Sequence, residues 1–322
     1  MRKAKTAMSN VIFMGTPDFA AGILQALIDS EYEVTAVFTQ PDKPRGRSAL
    51  LEAPPAKKLA LSAHIPVYQP AKIREAGNAE LIESLHPDFI VVAAFGQIIP
   101  KRILDIPKKG ILNVHASLLP RWRGAAPIQW SILTGDKETG VTIMQMEEGL
   151  DTGAMIDRVV VPVADDETGG SLFDKLMKAG AVQIVKTMRR IEAGEASCEK
   201  QPQESPTPYA KMLTKKMGEI SWEQDAEAIE RMVRAFSPWP SAYTFENGRM
   251  FKIWKAGIAD PKRCTAKPGE VVETGKDFIN VQTGKGILTI FELQPEGKKR
   301  MSAGAFLRGS SMEAGTVLGR KS

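Results

Sequence analysis

Asn113 and His115 stand two residues apart in the apolar run Ile111-Leu-Asn-Val-His-Ala116, and Asp151 lies between Gly149 and Gly153. Residues two apart on a strand point to the same face, so an amide and an imidazole would project together. A side-chain amide can donate to a carbonyl oxygen that is becoming negative. An imidazole can donate or move a proton near neutral pH. A carboxylate can orient that imidazole, hold it charged and relay a proton through water. The set suits acyl transfer to an amine. The plain structural alternative is a satisfied core histidine, an edge-strand Asn and a turn Asp. No single turn rule places all three, and we read them as the catalytic set. His64 and His86 fall where helices end, which suits the negative pole of a helix, and they read as structural.

Such a set needs strands that end together at one edge. Val11–Met14, Glu33–Phe38, a segment near Val67, Phe89–Ala94, Ile111–Ala116 and Val141–Met146 read as strands. Between them Phe19–Ile28, Ala56–Ala63, Ala79–Leu85, Ala126–Leu133 and Leu172–Ile191 carry helical apolar periodicity. Continuous apolar strands alternating with helices indicate a parallel sheet covered on both faces. The expected class is therefore α/β, a Rossmann-like, open, parallel-rich sheet with helices on both faces. Cys198–Pro208 is polar and holds Pro202, Pro206 and Pro208, a linker composition. Beyond it, Trp222–Ala235 contains one amphipathic helix. Short runs at Ala242–Phe245, Phe251–Ala256, Glu270–Glu273, Phe278–Gln282 and Ile287–Leu293 are separated by Gly, Asn and Pro. Five short strands suggest a small C-terminal barrel, of which the OB type is one. The expected boundaries are residues 8–197, a linker at 198–210, and 211–322.

The chain of 322 residues carries a net charge of +5. Residues 1–210 hold 24 Lys and Arg against 25 Asp and Glu, and residues 211–322 hold 19 against 13. The excess base sits in the C-terminal third, which suits either a polyanionic partner such as RNA or a plain solvated face. Cys198 and Cys264 are far apart and make no metal-ligand pattern; a reducing cytoplasm and no metal are expected. No apolar run is long enough to span a bilayer. Met1–Ala7 is basic without an apolar core behind it, so it does not read as a secretory signal. No G-x-G-x-x-G motif opens the first helix, which argues against a nicotinamide cofactor. Nor is a Ser-His or Cys-His nucleophile pattern evident, so no enzyme-bound acyl group is expected.

Asn113-Val-His115, Ser117-Leu-Leu-Pro120, Arg123-Gly124 and Gly149-Leu-Asp151-Thr-Gly153 together resemble the formyltetrahydrofolate-dependent formyltransferases. Gly15-Thr-Pro-Asp-Phe19, Thr39-Gln-Pro-Asp-Lys-Pro44, Gly46-Arg47 and Phe95-Gly96 fit the same family, and the similarity runs from about Asn10 to about Phe306. Ser237-Pro-Trp-Pro240 is more specific to the branch that acts on charged tRNA. The resemblance implies formyl transfer from 10-formyltetrahydrofolate to the free amino group of methionyl-initiator tRNA in the cytoplasm, by a monomer without membrane attachment. It implies direct amine attack, with Asn113 and His115 stabilising the oxyanion and Asp151 assisting proton transfer. The folate pocket it implies is formed by Phe95, Gly96, Gln97, Ile98 and Ile99, by Ser117, Leu118, Leu119 and Pro120, and by Gly149 and Leu150. For Ile98, Ile99 and Leu118 the alternative is core packing.

The implied tRNA contacts are Lys43, Arg45 and Arg47 in the loop after the second strand, with Arg47 matching the basic residue that reads the acceptor end. Ser48-Ala-Leu-Leu-Glu52 is less basic than the family's usual loop. Lys215, Lys216, Lys252, Lys255, Lys298, Lys299 and Arg300 are candidate phosphate contacts; any of them can equally be solvated surface. Trp239 suits a packing anchor between its two prolines, with a recognition aromatic as the alternative. Two other functions compete. Another formyltransferase, acting on an amino sugar or hydrolysing formylfolate, would share Asn113, His115 and Asp151 but would not need the basic barrel. An RNA-binding module on a silent sheet would not need the polar triad.

Overall fold

The computed structural model describes residues 9–44, 51–260, 262–263, 266–309 and 312–319. The chain divides into two compact units, the first holding Met1–Pro127, Glu138–Pro162 and Phe173–Ala210, the second Ile128–Lys137, Val163–Leu172 and Lys211–Ser322. In chain order the elements are β1 Asn10–Gly15, α1 Asp18–Ile28, β2 Glu33–Phe38, β3 Lys43–Pro44, β4 Leu51–Glu52, α2 Pro55–Ser62, β5 Val67–Tyr68, α3 Asn78–Ser84, β6 Phe89–Ala93 and α4 Lys101–Leu104. They continue with β7 Ile111–His115, α5 Pro127–Thr134, β8 Glu138–Gln145, β9 Met155–Pro162, α6 Gly169–Glu192 and α7 Ala226–Ala235. The last are β10 Ala242–Glu246, β11 Arg249–Asp260, β12 Val271–Thr274, β13 Ile279–Gln282, β14 Ile287–Pro295, β15 Met301–Ser302 and α8 Ala303–Leu307.

In the first unit seven strands run in the order β5-β2-β1-β6-β7-β8-β9. From β5 to β7 every pairing is parallel. β1 and β6 are buried almost throughout, as a sheet covered on both faces requires. Because β1, β6 and β7 are parallel, Gly15, Ala93 and His115 end at the same edge, where open α/β sheets bind ligands. The sheet is not wholly parallel: β8 and β9 pair antiparallel. β9 escaped the sequence reading because it is an edge strand with many exposed positions, so it lacks a continuous apolar run. His64 and His86 both take left-handed backbone angles, φ 59° and 46°, immediately beyond α2 and α3. Their place is the turn that ends each helix. Among the described residues no helix is long and apolar enough to cross a membrane.

A polar cluster ties the end of α6 to the start of the sheet. The Glu192 carboxylate accepts from the Ser9 hydroxyl, the Tyr32 hydroxyl and the Lys109 ammonium. Burial pushes the Glu192 carboxyl up, but these donors outweigh burial and hold it below its ordinary value. A carboxylate depressed on folding stabilises the fold above its unfolded pKa, about 4.3. That stability is lost as pH falls through the lower folded value. Glu192→Gln should therefore lower the melting temperature at pH 7, and its gap from the parent should narrow as pH falls from about 5 to about 3. A constant gap across a pH series of thermal melts would contradict this.

The second unit contains an antiparallel sheet in the order β10-β11-β14-β13-β12, with β15 added on β14. Val317 bridges Glu270 just before β12, and Gly319 bridges Phe245 in β10. The terminal segment thus joins the two edge strands and closes the sheet on itself. Ile253, Val271, Ile279, Val281, Leu288, Ile290 and Leu293 are buried, and α7 packs on β11 and β14. Five of these strands fall where turn-separated apolar runs put them. β11 extends to Asp260, further than its apolar run suggested.

Candidate active site

The site is built where β7 stops. His115 is buried, and its strand register opposes Thr142 of β8. The chain turns at once, with the Ser117 amide donating to the His115 carbonyl at 2.9 Å. Thr142 holds the turn from beneath: its hydroxyl donates to the Ser117 carbonyl at 2.7 Å and accepts from the Leu119 amide at 3.0 Å. The Ser117 hydroxyl donates to the Arg121 carbonyl at 2.7 Å. This loop brings Trp122 into a left-handed conformation, φ 58°, unusual for a bulky residue. Its carbonyl lies 3.1 Å from His115 Nε2. A carbonyl can only accept, so this contact requires the proton on Nε2. Nδ1 is then the nitrogen left for chemistry.

Asp151 comes to that nitrogen from the loop after β8. Its carboxylate lies 3.7 Å from His115 Nδ1, a charge contact longer than a hydrogen bond. Asp151 has φ 53°, a conformation that Asp tolerates better than most residues. Its other oxygen accepts from the Gly124 amide at 2.9 Å. Gly153 must be glycine, since a Cβ there would stand 1.8 Å from the Gln145 carbonyl oxygen. Asn113, on the same strand as His115, is half-buried, and its carboxamide makes no hydrogen bond among the described residues. The structure thus gathers His115 and Asp151 directly and leaves an uncommitted amide one pleat away.

Arg123, which the sequence offered only as part of a motif, and Gln201, which it did not single out, hold this arrangement. Arg123 is buried, and its guanidinium donates to the Gln201 side chain at 3.0 Å and to the carbonyls of Pro202 and Gln203 at 2.7 and 3.2 Å. Gln201 in turn donates to the carbonyls of Asp151 and Gly153 at 2.9 and 2.7 Å. The polar segment after Cys198 is therefore fastened along the first unit, with Glu199 bridging Met155 and Ala210 bridging Gly124. Its only sequence signal was a cluster of amides and prolines.

The candidate folate residues divide by environment. Phe95 and Ile99 belong to the apolar core, and Leu119 packs with Met144 and Met155. Gln97 is tied to the Ile73 amide at 2.6 Å and to the Pro70 carbonyl at 3.1 Å. Ile98 and Leu150 are exposed, as is Gly149, while Leu118 and Pro120 are half-buried; Leu118 lies against Gly140 of β8. Gly96 has φ 77°, and the Gln40 amide donates to the carbonyls of Phe95 and Gly96 at 3.3 and 3.1 Å. Lys43 donates to Gln40 at 3.3 Å from the short β3–β4 hairpin. Asp42 at the hairpin base pairs with Lys57 at 2.8 Å. Arg45 and Arg47 lie outside the described residues.

In the barrel, Lys252 and Arg300 both stand over the Trp254 ring, 5.6 and 5.3 Å from its centre, and Arg300 pairs with Glu292. Lys215, Lys216, Lys255, Lys298 and Lys299 are exposed and make no ion pair among the described residues. Trp239 does not act as a buried anchor. It is half exposed, and it is Pro240 beside it that is buried.

The profile of the formyl transferase family matches residues 9–188, and that of the formyl transferase C-terminal domain matches residues 212–311. A methionyl-tRNA formyltransferase of Agathobacter rectalis is 52% identical over 306 residues, covering 95% of this chain and 98% of its own. The chain belongs to the methionyl-tRNA formyltransferase family. A member of that family from Clostridioides difficile is 48% identical over 309 residues, 96% of this chain and 99% of its own. Among solved structures, the sugar 3N-formyl transferase WlaRD matches with a TM-score of 0.66 at 20% identity, over 91% of this chain and 100% of that one. HypX from Aquifex aeolicus matches with a TM-score of 0.61 at 18% identity, over 94% of this chain and 47% of that one. At such identities the likeness is one of fold. Methionyl-tRNA formyltransferases are transferases, and this chain is one by family.

Proposed function

We propose that the chain transfers the formyl group of 10-formyltetrahydrofolate to the α-amino group of methionyl-initiator tRNA, giving N-formylmethionyl-tRNA for translation initiation. The observation that carries the chemistry is the Asp151 carboxylate 3.7 Å from His115 Nδ1. The shared name of relatives matched over nearly their whole length supports the acceptor. A neighbour of the same fold solved with tetrahydrofolic acid supports a folate donor.

The neutral amine forms the new C–N bond while the carbonyl pair moves onto oxygen. The Asn113 amide and the His115 Nδ1–H donate to that oxyanion. Losing one such donor costs about 3–4 kcal/mol of transition-state stabilisation. Asp151 accepts the ammonium proton, directly or through water. The bond to N10 then breaks as N10 takes a proton, and the oxyanion collapses to the new amide. Lys43, Arg45, Arg47 and the barrel cations Lys215, Lys216, Lys252, Lys298, Lys299 and Arg300 are the tRNA contacts of this reading. The chain acts as a cytoplasmic monomer.

The test is formyl transfer from 10-formyltetrahydrofolate to charged initiator tRNA, charged elongator tRNA and a nucleotide-linked amino sugar. Incorporation into initiator tRNA is expected, and its KM should rise steeply with salt as phosphate contacts are screened. Transfer to the amino sugar alone, or release of formate without tRNA, would overturn the reading.

A further inference from the structure

Thr207-Pro-Tyr-Ala210 has the sequence of a connecting segment, yet it is pinned against the active-site loop at both ends. The Trp122 amide donates to the Thr207 hydroxyl at 2.7 Å. The Ala210 amide donates to the Arg123 carbonyl, and the Ala210 carbonyl accepts from the Ala125 amide, both at 2.8 Å. Between these anchors the Tyr209 ring lies directly on Gly124. A Cβ at Gly124 would come within 2.8 Å of Tyr209 Cζ, and Gly124 also has φ 127°, a conformation few other residues adopt. The same glycine donates its amide to the Asp151 carboxylate. Ring, glycine and carboxylate are therefore consecutive neighbours.

Tyr209 is nonetheless 45% exposed, and its hydroxyl makes no hydrogen bond among the described residues. A tyrosine hydroxyl that packing buries normally finds a hydrogen-bond partner. Here a ring with a fixed backbone leaves much of its surface and its one polar group uncovered, beside the carboxylate that would take the amine's proton. Burial and the Asp151 charge both push the phenol above its ordinary pKa, which keeps it a neutral donor.

We propose that Tyr209 is a specificity-determining residue for the acceptor: its phenol O–H donates to an oxygen of the aminoacylated 3′ end, and its open ring face packs on that terminus. This rests on the formyl-transfer reading above. An aromatic platform suits an unpaired nucleotide end, and a phenol suits the ester or ribose oxygens next to the reacting amine. The donor has no part in the contact, which is the feature that can be measured.

Tyr209→Phe and Tyr209→Ala in the full chain test it, against charged initiator tRNA and 10-formyltetrahydrofolate. The wild type is assayed first; failure to formylate charged tRNA would remove the functional reading itself, and this proposal with it, before any variant is compared. Tyr209→Phe should lower kcat/KM for tRNA by about tenfold, the effect of one lost hydrogen bond. Tyr209→Ala should lower it by about a hundredfold, as the ring contact goes too. KM for the folate donor should stay within about twofold in both, as expected for uniform loss of acceptor binding, and the melting temperature of Tyr209→Phe should match the parent. Unchanged tRNA kinetics in both variants would overturn the proposal. So would equal loss for donor and acceptor accompanied by a lower melting temperature, which would make Tyr209 a strut for the loop.

Discussion

His115→Ala should lower kcat by about 10³-fold, the upper end of the effect of losing one oxyanion donor. Tetrahydrofolate binding should stay within about twofold, because the removed ring is buried behind the turn and makes an interaction realised in the transition state. The geometry sharpens the expectation. With Nε2 committed to the Trp122 carbonyl, only Nδ1 faces Asp151. His115→Asn, which cannot offer a titrating group, should fall nearly as far as alanine. Single-turnover kinetics beside equilibrium folate titration measures both quantities. Near-normal kcat in either variant would take the imidazole out of the reaction.

Arg123→Lys should be costly for a residue that touches no reacting atom. Its fork donates to Gln201 and to two backbone carbonyls, and Gln201 carries the hold on to the Asp151 loop. A lysine ammonium is a point donor and cannot span those three acceptors. Stability should fall by about 3 kcal/mol, since hydrogen bonds from a charged donor are each worth about 1.5–3 kcal/mol. We also expect kcat to drop about 10²-fold, the effect of a displacement near 1 Å in a positioned group. Adding Gln201→Ala should then cost little more, because both residues serve one contact. Urea denaturation and kcat of the two single variants and the double variant give the answer; additive losses would separate Arg123 from Asp151.

The parts of the site that could be read in the sequence were those signalled locally. Asn113 and His115 stood out as polar side chains alternating within an apolar strand, and Asp151 as an acid flanked by glycines. The parallel strands were legible because double-sided burial demands unbroken apolar runs. What stayed hidden depends on distant partners. Nothing near Arg123 announces acceptors about 80 residues away, and nothing near Thr142 announces that its hydroxyl props a loop from another strand. β9 was missed because an edge strand need not be apolar. Trp239 misled for the opposite reason: large apolar side chains are often exposed in part, so its neighbours' rigidity did not decide its burial.

The reversal of direction at β8 has a steric result. Past Thr142, the register partner of His115, β8 continues through Val141, Gly140, Thr139 and Glu138, about 13 Å of strand at 3.4 Å per residue. β9 flanks that extension up to Pro162, and Leu118 is laid across it at Gly140. On the β8 side the imidazole therefore has a continuous strand as a backstop. In the formyl-transfer reading, the reactive end of the acceptor must be slender enough to meet the imidazole against that backstop.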